Sequence, residues 1–197
     1  MAVTTWDDLR RCLVSRRHAQ VADPTTQRAA VAVVLREAAT GLEILFIRRA
    51  EHPHDPWSGQ MAFPGGRSEP GDADLMTTAI RETAEETGID LAGEAEFLGA
   101  LDEVRAMAQL RPMNLVIAPF VFRLRQSVDV ILSPEVRSVH WLPLDDLFGP
   151  QFRSMLDYSH GATTLQFPCL RLETVVIWGL TYRMFTSLQT VLGRDTP

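Results

Sequence analysis

Apolar positions recur along this chain with two different periods, and the period separates helix from strand. Trp6, Leu9 and Leu13 lie three and four residues apart behind Thr5. That spacing places them on one helix face with Thr5 as N-cap, so a helix over 5–17 is expected. Residues 18–27 are polar around Asp23-Pro24 and read as a loop. The unbroken, valine-rich run over 29–35 fits a buried strand. A turn at Ala39-Thr40-Gly41 and a second strand over 42–49 complete a hairpin.

The character then changes. Residues 50–71 hold four prolines, four glycines and two histidines with little periodicity, apart from a short strand over 60–63. Loops of that length within a compact domain are usually functional. A helix over 75–87 follows, with Asp74 placed to cap its start and Gly88 at the left-handed position that ends it. Strands are expected over 96–104, 115–124 and 136–142, and a helical turn over 143–148. A helix lies within 170–192, with Val175, Trp178, Tyr182 and Phe185 at helical spacing as a core stripe. The order is a mixed α/β domain without repeat or linker. It is read as one domain over 1–197, its core about 29–192.

Composition narrows the partners. The 197 residues are 46% apolar and 22% charged, the balance of a globular protein. A formal charge of −6 argues against a nucleic-acid partner, though a local arginine pocket can still attract a small anion. All 19 basic residues are arginine, which fits a GC-rich codon bias and says nothing of a site. Cys12 and Cys169 have neither pairing nor ligand spacing and read as small buried hydrophobes in a reducing compartment. The start of the chain lacks the regions of a signal peptide, and the apolar run over 174–182 is too short to cross a bilayer. A cytoplasmic protein with no membrane partner is expected.

The chemistry centres on the 75–87 helix. Glu82, Glu85 and Glu86 fall within an arc of roughly 100°. Like charges at this spacing cost a few tenths of a kcal/mol per pair, roughly, and invite a cation. All-oxygen donors suit magnesium (Mg2+), with manganese (Mn2+) as a substitute. Such a stripe is ordinarily just a solvated face. What changes the reading is Phe63-Pro64-Gly65-Gly66 just upstream, where bare backbone can approach a metal or phosphate.

Arg81-Glu82-Thr83-Ala84-Glu85-Glu86-Thr87-Gly88-Ile89 resembles the core of the Nudix box. Five fixed residues match by chance roughly once in a million start positions. The upstream part departs: counting from Gly66 reaches Asp72 with one residue too many before Arg81, so Asp72 or Glu69 takes the place of the box's first acid. Thr83 also stands where the box has a hydrophobic residue. A box one residue longer after Phe-Pro-Gly-Gly is similar to the Nudix branch that hydrolyses coenzyme A and its thioesters. The stretches 44–49, 117–121 and 177–181 resemble that branch too, the last its C-terminal helix. His54 stands where the branch has an arginine, and the spacing there is one residue longer.

The resemblance implies the Nudix fold, a mixed β-sheet sandwiched between α-helices with a catalytic loop–helix–loop. It implies that Glu82, Glu85 and Glu86 bind divalent cations with the carbonyl of Gly66, the metal polarising the diphosphate and lowering the pKa of the attacking water. Glu85 alternatively serves as base, and Arg81 holds the carboxylates. Gly65, Gly66, Arg49 and His54 are candidate substrate contacts, Arg49 as a bidentate phosphate ligand. Glu135 sits in a late loop where some Nudix enzymes place a general base. Trp57 and Phe63 either stack on a base or pack under the loop. The expected activity is cleavage of the diphosphate linkage of a nucleoside diphosphate derivative. Coenzyme A or a thioester would yield a phosphopantetheine part and adenosine 3′,5′-bisphosphate. ADP-ribose, a dinucleotide or a damaged nucleotide is the alternative, and a non-catalytic nucleotide-sensing module the alternative outside enzymes. Homodimers are common in that family.

Overall fold

The computed structural model describes residues 4–14, 16–23, 25–53, 55–108, 111–160 and 163–194. Helix α1 (Trp6–Leu13) opens on Thr5, whose hydroxyl accepts from the Asp8 amide while Asp8 caps Thr5 in return. It ends sooner than its spacing suggests, and Arg16 beyond it pairs with Asp102. Strands β1 (Gln27–Ala38) and β2 (Gly41–Arg49) form the expected hairpin, followed by short β3 (Met61–Ala62) and β4 (Gly65–Arg67). Helix α2 (Leu75–Thr87) and a single turn, α3 (Leu91–Glu94), lead into β5 (Ala95–Ala100), β6 (Val104–Ala108) and β7 (Arg111–Leu124). Then come β8 (Val136–Pro143), α4 (Leu144–Leu147), β9 (Arg153–His160), β10 (Thr163–Leu172), β11 (Val175–Trp178) and α5 (Gly179–Val191).

The main sheet is mixed. β1 runs parallel to β7 along most of its length, and the remaining pairings are antiparallel. Its apolar run is unbroken because both faces are covered. Ala29, Val31, Val33 and Leu35 join the larger core with α1 and α5, while Ala30, Ala32 and Val34 join a second core under α2. Ala79 of α2 meets those small residues. Thr83 beside it is fully buried, and its hydroxyl donates to the Ala79 carbonyl at 2.7 Å. A threonine thus replaces the hydrophobic residue of the box without leaving a polar atom unpaired.

β1 and β2 pair only over Leu35–Ala38 and Gly41–Ile44. Beyond that they splay, β4 taking the freed edge of β1 and β3 that of β2. The long loop enters this split, which brings the two glycines beside α2.

The 170–192 region differs from its sequence pattern. Val175 and Trp178 belong to β11, part of a three-stranded antiparallel sheet β9–β10–β11, and the helix begins only at Gly179. The segment 177–181, likened to a C-terminal helix, therefore straddles a strand and a helix. Phe185 is core as expected; Tyr182 and Trp178 are only half-buried. Among the described residues no helix is long and apolar enough to cross a membrane. Cys12 and Cys169 are free thiols, and Cys169 is buried.

Candidate active site

Helix α2 is held at both ends by its own sequence. Asp74 accepts from the Thr77 amide at the start, and Gly88 ends it with φ +73°. Its last turn leaves carbonyls that need donors. The loop before β8 supplies them, Ile131 donating to Thr87 and Ser133 to Glu86. Those two bonds fasten the segment carrying Glu135 to the end of the acidic helix.

Glu82, Glu86 and Glu135 line one cavity of about 440 Å³ together with Gly65, Gly66, Arg49 and Arg67. Glu86 is almost fully buried, and one carboxylate oxygen accepts from the Gly65 amide at 2.8 Å. Burial pushes its pKa up to about 7, against the opposing pull of that amide and of Arg49. Glu82 is also raised, first by burial, with Arg81 opposing and Glu85 and Glu135 adding repulsion. Its carboxylate lies against Gly66, where an added Cβ would stand 2.4 Å from the carboxyl carbon. A side chain at the second glycine would push that carboxylate aside.

Glu85 is turned away. It is largely exposed, pairs with Arg81 at 3.1 Å, and is not among the cavity's lining residues. Arg49 lines the cavity, 4.0 Å from Glu86, but its guanidinium is already engaged by Asp55 at 2.8 Å. Neither Asp55 nor Arg67 was singled out from sequence: a loop aspartate before proline reads as turn chemistry. His54 lies outside the described residues. Phe63 is buried and stacked on Phe46 with centroids 4.9 Å apart, and it lines the cavity together with Trp57.

Of the two upstream acids, Asp72 is the partner of Arg81. Its nearly buried carboxylate accepts from two guanidinium nitrogens at 3.0 Å each, from the Thr78 hydroxyl and from the Glu69 amide. Arg81 beside it holds it well below the usual carboxylate range. Glu69 is exposed and meets Asp72 through its backbone, its amide donating to the Asp72 carboxylate and its carbonyl accepting from the Asp72 amide. Arg81 in turn bonds Glu82 at 3.0 Å and the Arg67 carbonyl, tying the loop to the helix. The extra loop residue is absorbed while the acid–arginine pair survives. Asp72→Asn is expected to weaken metal-dependent activity by about 10- to 100-fold, the usual cost of losing a group that orients ligands. Steady-state kinetics across magnesium concentrations checks this; an unchanged magnesium dependence would mean Arg81 orients nothing.

Among the described residues no three acidic, histidine or cysteine side chains stand close enough to cage an ion as they are. The donor set nevertheless suits a hard divalent cation. Two helix carboxylates and glycine backbone converge on one wall, and among the described residues the cavity carries Asp55, Glu82, Glu86 and Glu135 against Arg49 and Arg67. An acidic cavity of this kind repels a diphosphate until a cation enters.

A mixed α/β fold with a glycine-rich loop and acidic helix at a splayed sheet suits a phosphate-directed, cation-assisted hydrolase. The chain belongs to the NUDIX domain family, whose profile matches residues 26–160. It is 28% identical over 178 residues to the uncharacterised Nudix hydrolase NudL of Yersinia pestis, covering 87% of this chain and 82% of that one. It is 41% identical over 116 residues to an uncharacterised protein of Schizosaccharomyces pombe, 57% of this chain and 35% of that protein. A solved Caenorhabditis elegans Ap4A hydrolase superposes with a TM-score of 0.52 at 26% identity, over 61% of this chain and 82% of that one. A MutT/nudix family protein from Enterococcus faecalis shares the fold at 17% identity and a TM-score of 0.53, over 96% and 75%. Family and hydrolase relatives together support a pyrophosphohydrolase enzyme, of a kind that generally uses divalent metal ions.

Proposed function

We propose that this protein cleaves the diphosphate linkage of coenzyme A or its thioesters, releasing a phosphopantetheine part and adenosine 3′,5′-bisphosphate. One observation carries the reaction type: Glu82 and Glu86 meet the Gly65-Gly66 backbone on one wall of a cavity that also presents two arginines. The coenzyme A reading is supported by the loop that reaches Asp72 one residue late yet still delivers it to Arg81. When bound, a magnesium or manganese ion would neutralise the diphosphate and supply Lewis acidity.

Glu82 and Glu86 hold that ion, with Gly66 bare of side chain to admit it. Arg49 and Arg67 face the phosphate oxygens. Arg49 reaches them by trading part of its pairing with Asp55, so Asp55 sets how firmly it is held. Glu135, on the cavity wall and open to solvent, takes a proton from the attacking water. Glu85, turned onto Arg81, stands outside that path.

Glu135→Gln is accordingly expected to lower kcat by about 100-fold or more, the range for a lost general base. Glu85→Gln is expected to cost far less. Parallel kcat–pH profiles check this; if Glu85→Gln were the variant that lost the rate and the pH limb, the two roles would be exchanged.

The dinucleotide reading keeps one support, the likeness to the worm Ap4A hydrolase. Hydrolysis of coenzyme A, ADP-ribose and diadenosine tetraphosphate with magnesium, followed by product chromatography, separates the two. Turnover of the dinucleotide with coenzyme A untouched would overturn the coenzyme A reading.

A further inference from the structure

Arg49 stands between two carboxylates that pull it in opposite directions. The pairing of β2 with β8 shifts register between Arg48 and Arg49. Such irregularities re-aim a side chain off the regular alternation of a strand, and Arg49 lines the cavity. One edge of its guanidinium, Nε and Nη2, donates to a single oxygen of Asp55 at 2.9 and 2.8 Å. The other edge faces Glu86, with Nη1 4.0 Å from Oε1. That gap exceeds a hydrogen bond, yet closing it takes a movement of only about 1 Å.

Glu86 is well placed to draw the arginine in. Its Oε2 is taken by the Gly65 amide, which leaves Oε1 as the oxygen facing Arg49. The carboxylate is almost fully buried, where an opposite charge is attracted more strongly than in water. A guanidinium fork released from Asp55 would close on Oε1 and occupy the lone pairs that a divalent ion needs. Arg67, the other arginine described on the cavity wall, donates to Gln27 on β1 instead.

Asp55 is itself fixed. Its side chain is only 15% exposed, and its second oxygen accepts from the Trp57 amide at 2.9 Å. Its own amide donates to the His52 carbonyl, and its carbonyl accepts from the Ser58 amide. The turn around it therefore presents the carboxylate as an anchor at a set position.

We propose that Asp55 is a positioning residue that holds Arg49 off Glu86 and so keeps Oε1 open to the divalent ion. The inference rests on the reading that Glu82 and Glu86 hold that ion. Asp55 favours metal entry through Arg49 and is not a ligand. With the charge of Glu86 neutralised, the inward pull on Arg49 falls and its free edge is left for phosphate oxygens.

The test is a double-mutant cycle read by manganese binding to the substrate-free protein, with free Mn2+ followed by electron paramagnetic resonance. Asp55→Asn keeps an oxygen for the Trp57 amide but releases Arg49. It should weaken manganese binding about tenfold, the lower end for a lost group that orients ligands. In an Arg49→Gln background the same change should alter affinity by no more than about twofold, because the two residues act through one contact. A folding defect, or the plain loss of a negative charge, would be felt in both backgrounds. An equal loss in both would therefore overturn the proposal, and so would no loss in either. The nitrogen-15 spectrum of the metal-free protein gives a second reading at the Gly65 amide, which bonds the same carboxylate. Asp55→Asn should shift that signal in the wild-type background and leave it in place in Arg49→Gln; a signal unmoved in both would sink the idea. If the wild type bound no manganese, the metal reading of Glu82 and Glu86 would fail instead. The Gly65 signal would then still decide whether Asp55 keeps Arg49 from Glu86.

Discussion

Glu86→Gln is expected to lower kcat/KM about a thousandfold, since losing a metal ligand forfeits several kcal/mol of transition-state stabilisation. The same substitution should make the metal-free protein more stable. Glu86 has a folded-state pKa of about 7 against an ordinary 4.5, chiefly because it is buried. A group raised in this way adds stability in full below its unfolded pKa and loses it as pH climbs through the folded value. At pH 8 the wild type therefore keeps a buried charge that glutamine does not have. The difference is worth about 3 kcal/mol at roughly 1.4 kcal/mol per pKa unit, shrinking to nearly zero by pH 4.5. Urea unfolding in chelator at pH 4.5 and pH 8 measures it directly. Equal stabilities at pH 8 would show that Glu86 carries no burial penalty for a cation to relieve.

The second large effect is expected at Gly65. Its φ of +151° is one that side chains rarely adopt, and an added Cβ would lie 2.2 Å from the Ala30 carbonyl oxygen and 2.6 Å from the Val31 Cα. Both are backbone atoms of the central strand, so neither can give way. Gly65→Ala should cost about 3–4 kcal/mol and lower Tm by roughly 10 °C, as β4 is forced off β1. The Gly65 amide that bonds Glu86 would move with it, so magnesium-dependent activity should fall together with stability. Gly71→Ala, with open space around its Cβ and no positive φ, is the control and should change Tm little. A Gly65→Ala protein melting with the wild type would mean that the strand–loop approach is not tight.

These two residues differ in how visible they were. Glu86 stands out because Glu82, four residues before it, and the adjacent Glu85 are also acidic and the helix is bounded by local signals at both ends. Asp74 and Gly88 act within a few residues, and the helix runs over the span they bracket. Gly65 could be flagged as bare backbone, but which strand it touches depends on the splaying of β1 from β2, a pairing between residues more than 30 positions apart. Counting from Gly66 reaches Asp72, but the displaced spacing to Arg81 leaves Glu69 open as well. Only the folded loop shows that Asp72 takes the Arg81 guanidinium and that Glu69 stays in solvent.

The C-terminal third is the least legible in the sequence. Val175, Trp178, Tyr182 and Phe185 sit three and four residues apart, so a strand ending and a helix beginning imitate one helical stripe. The turn between β10 and β11 also lacks the usual glycine, with Glu173 instead at φ +43°. With that sheet unrecognised, the apolar cavity walled by Tyr158, Phe167 and Trp178 could not be anticipated, because those residues come from three separate strands.

The chain by itself determined the glycine loop, the acidic helix and its caps, and the family those residues resemble, because each depends on neighbours within a few positions. Tertiary structure alone decided that Glu85 leaves the cavity while Glu135 enters it, that Asp55 restrains Arg49, and that an apolar chamber adjoins the charged one. Those outcomes rest on contacts between distant segments packed around a sheet, and periodicity along a chain carries no record of which segments will meet.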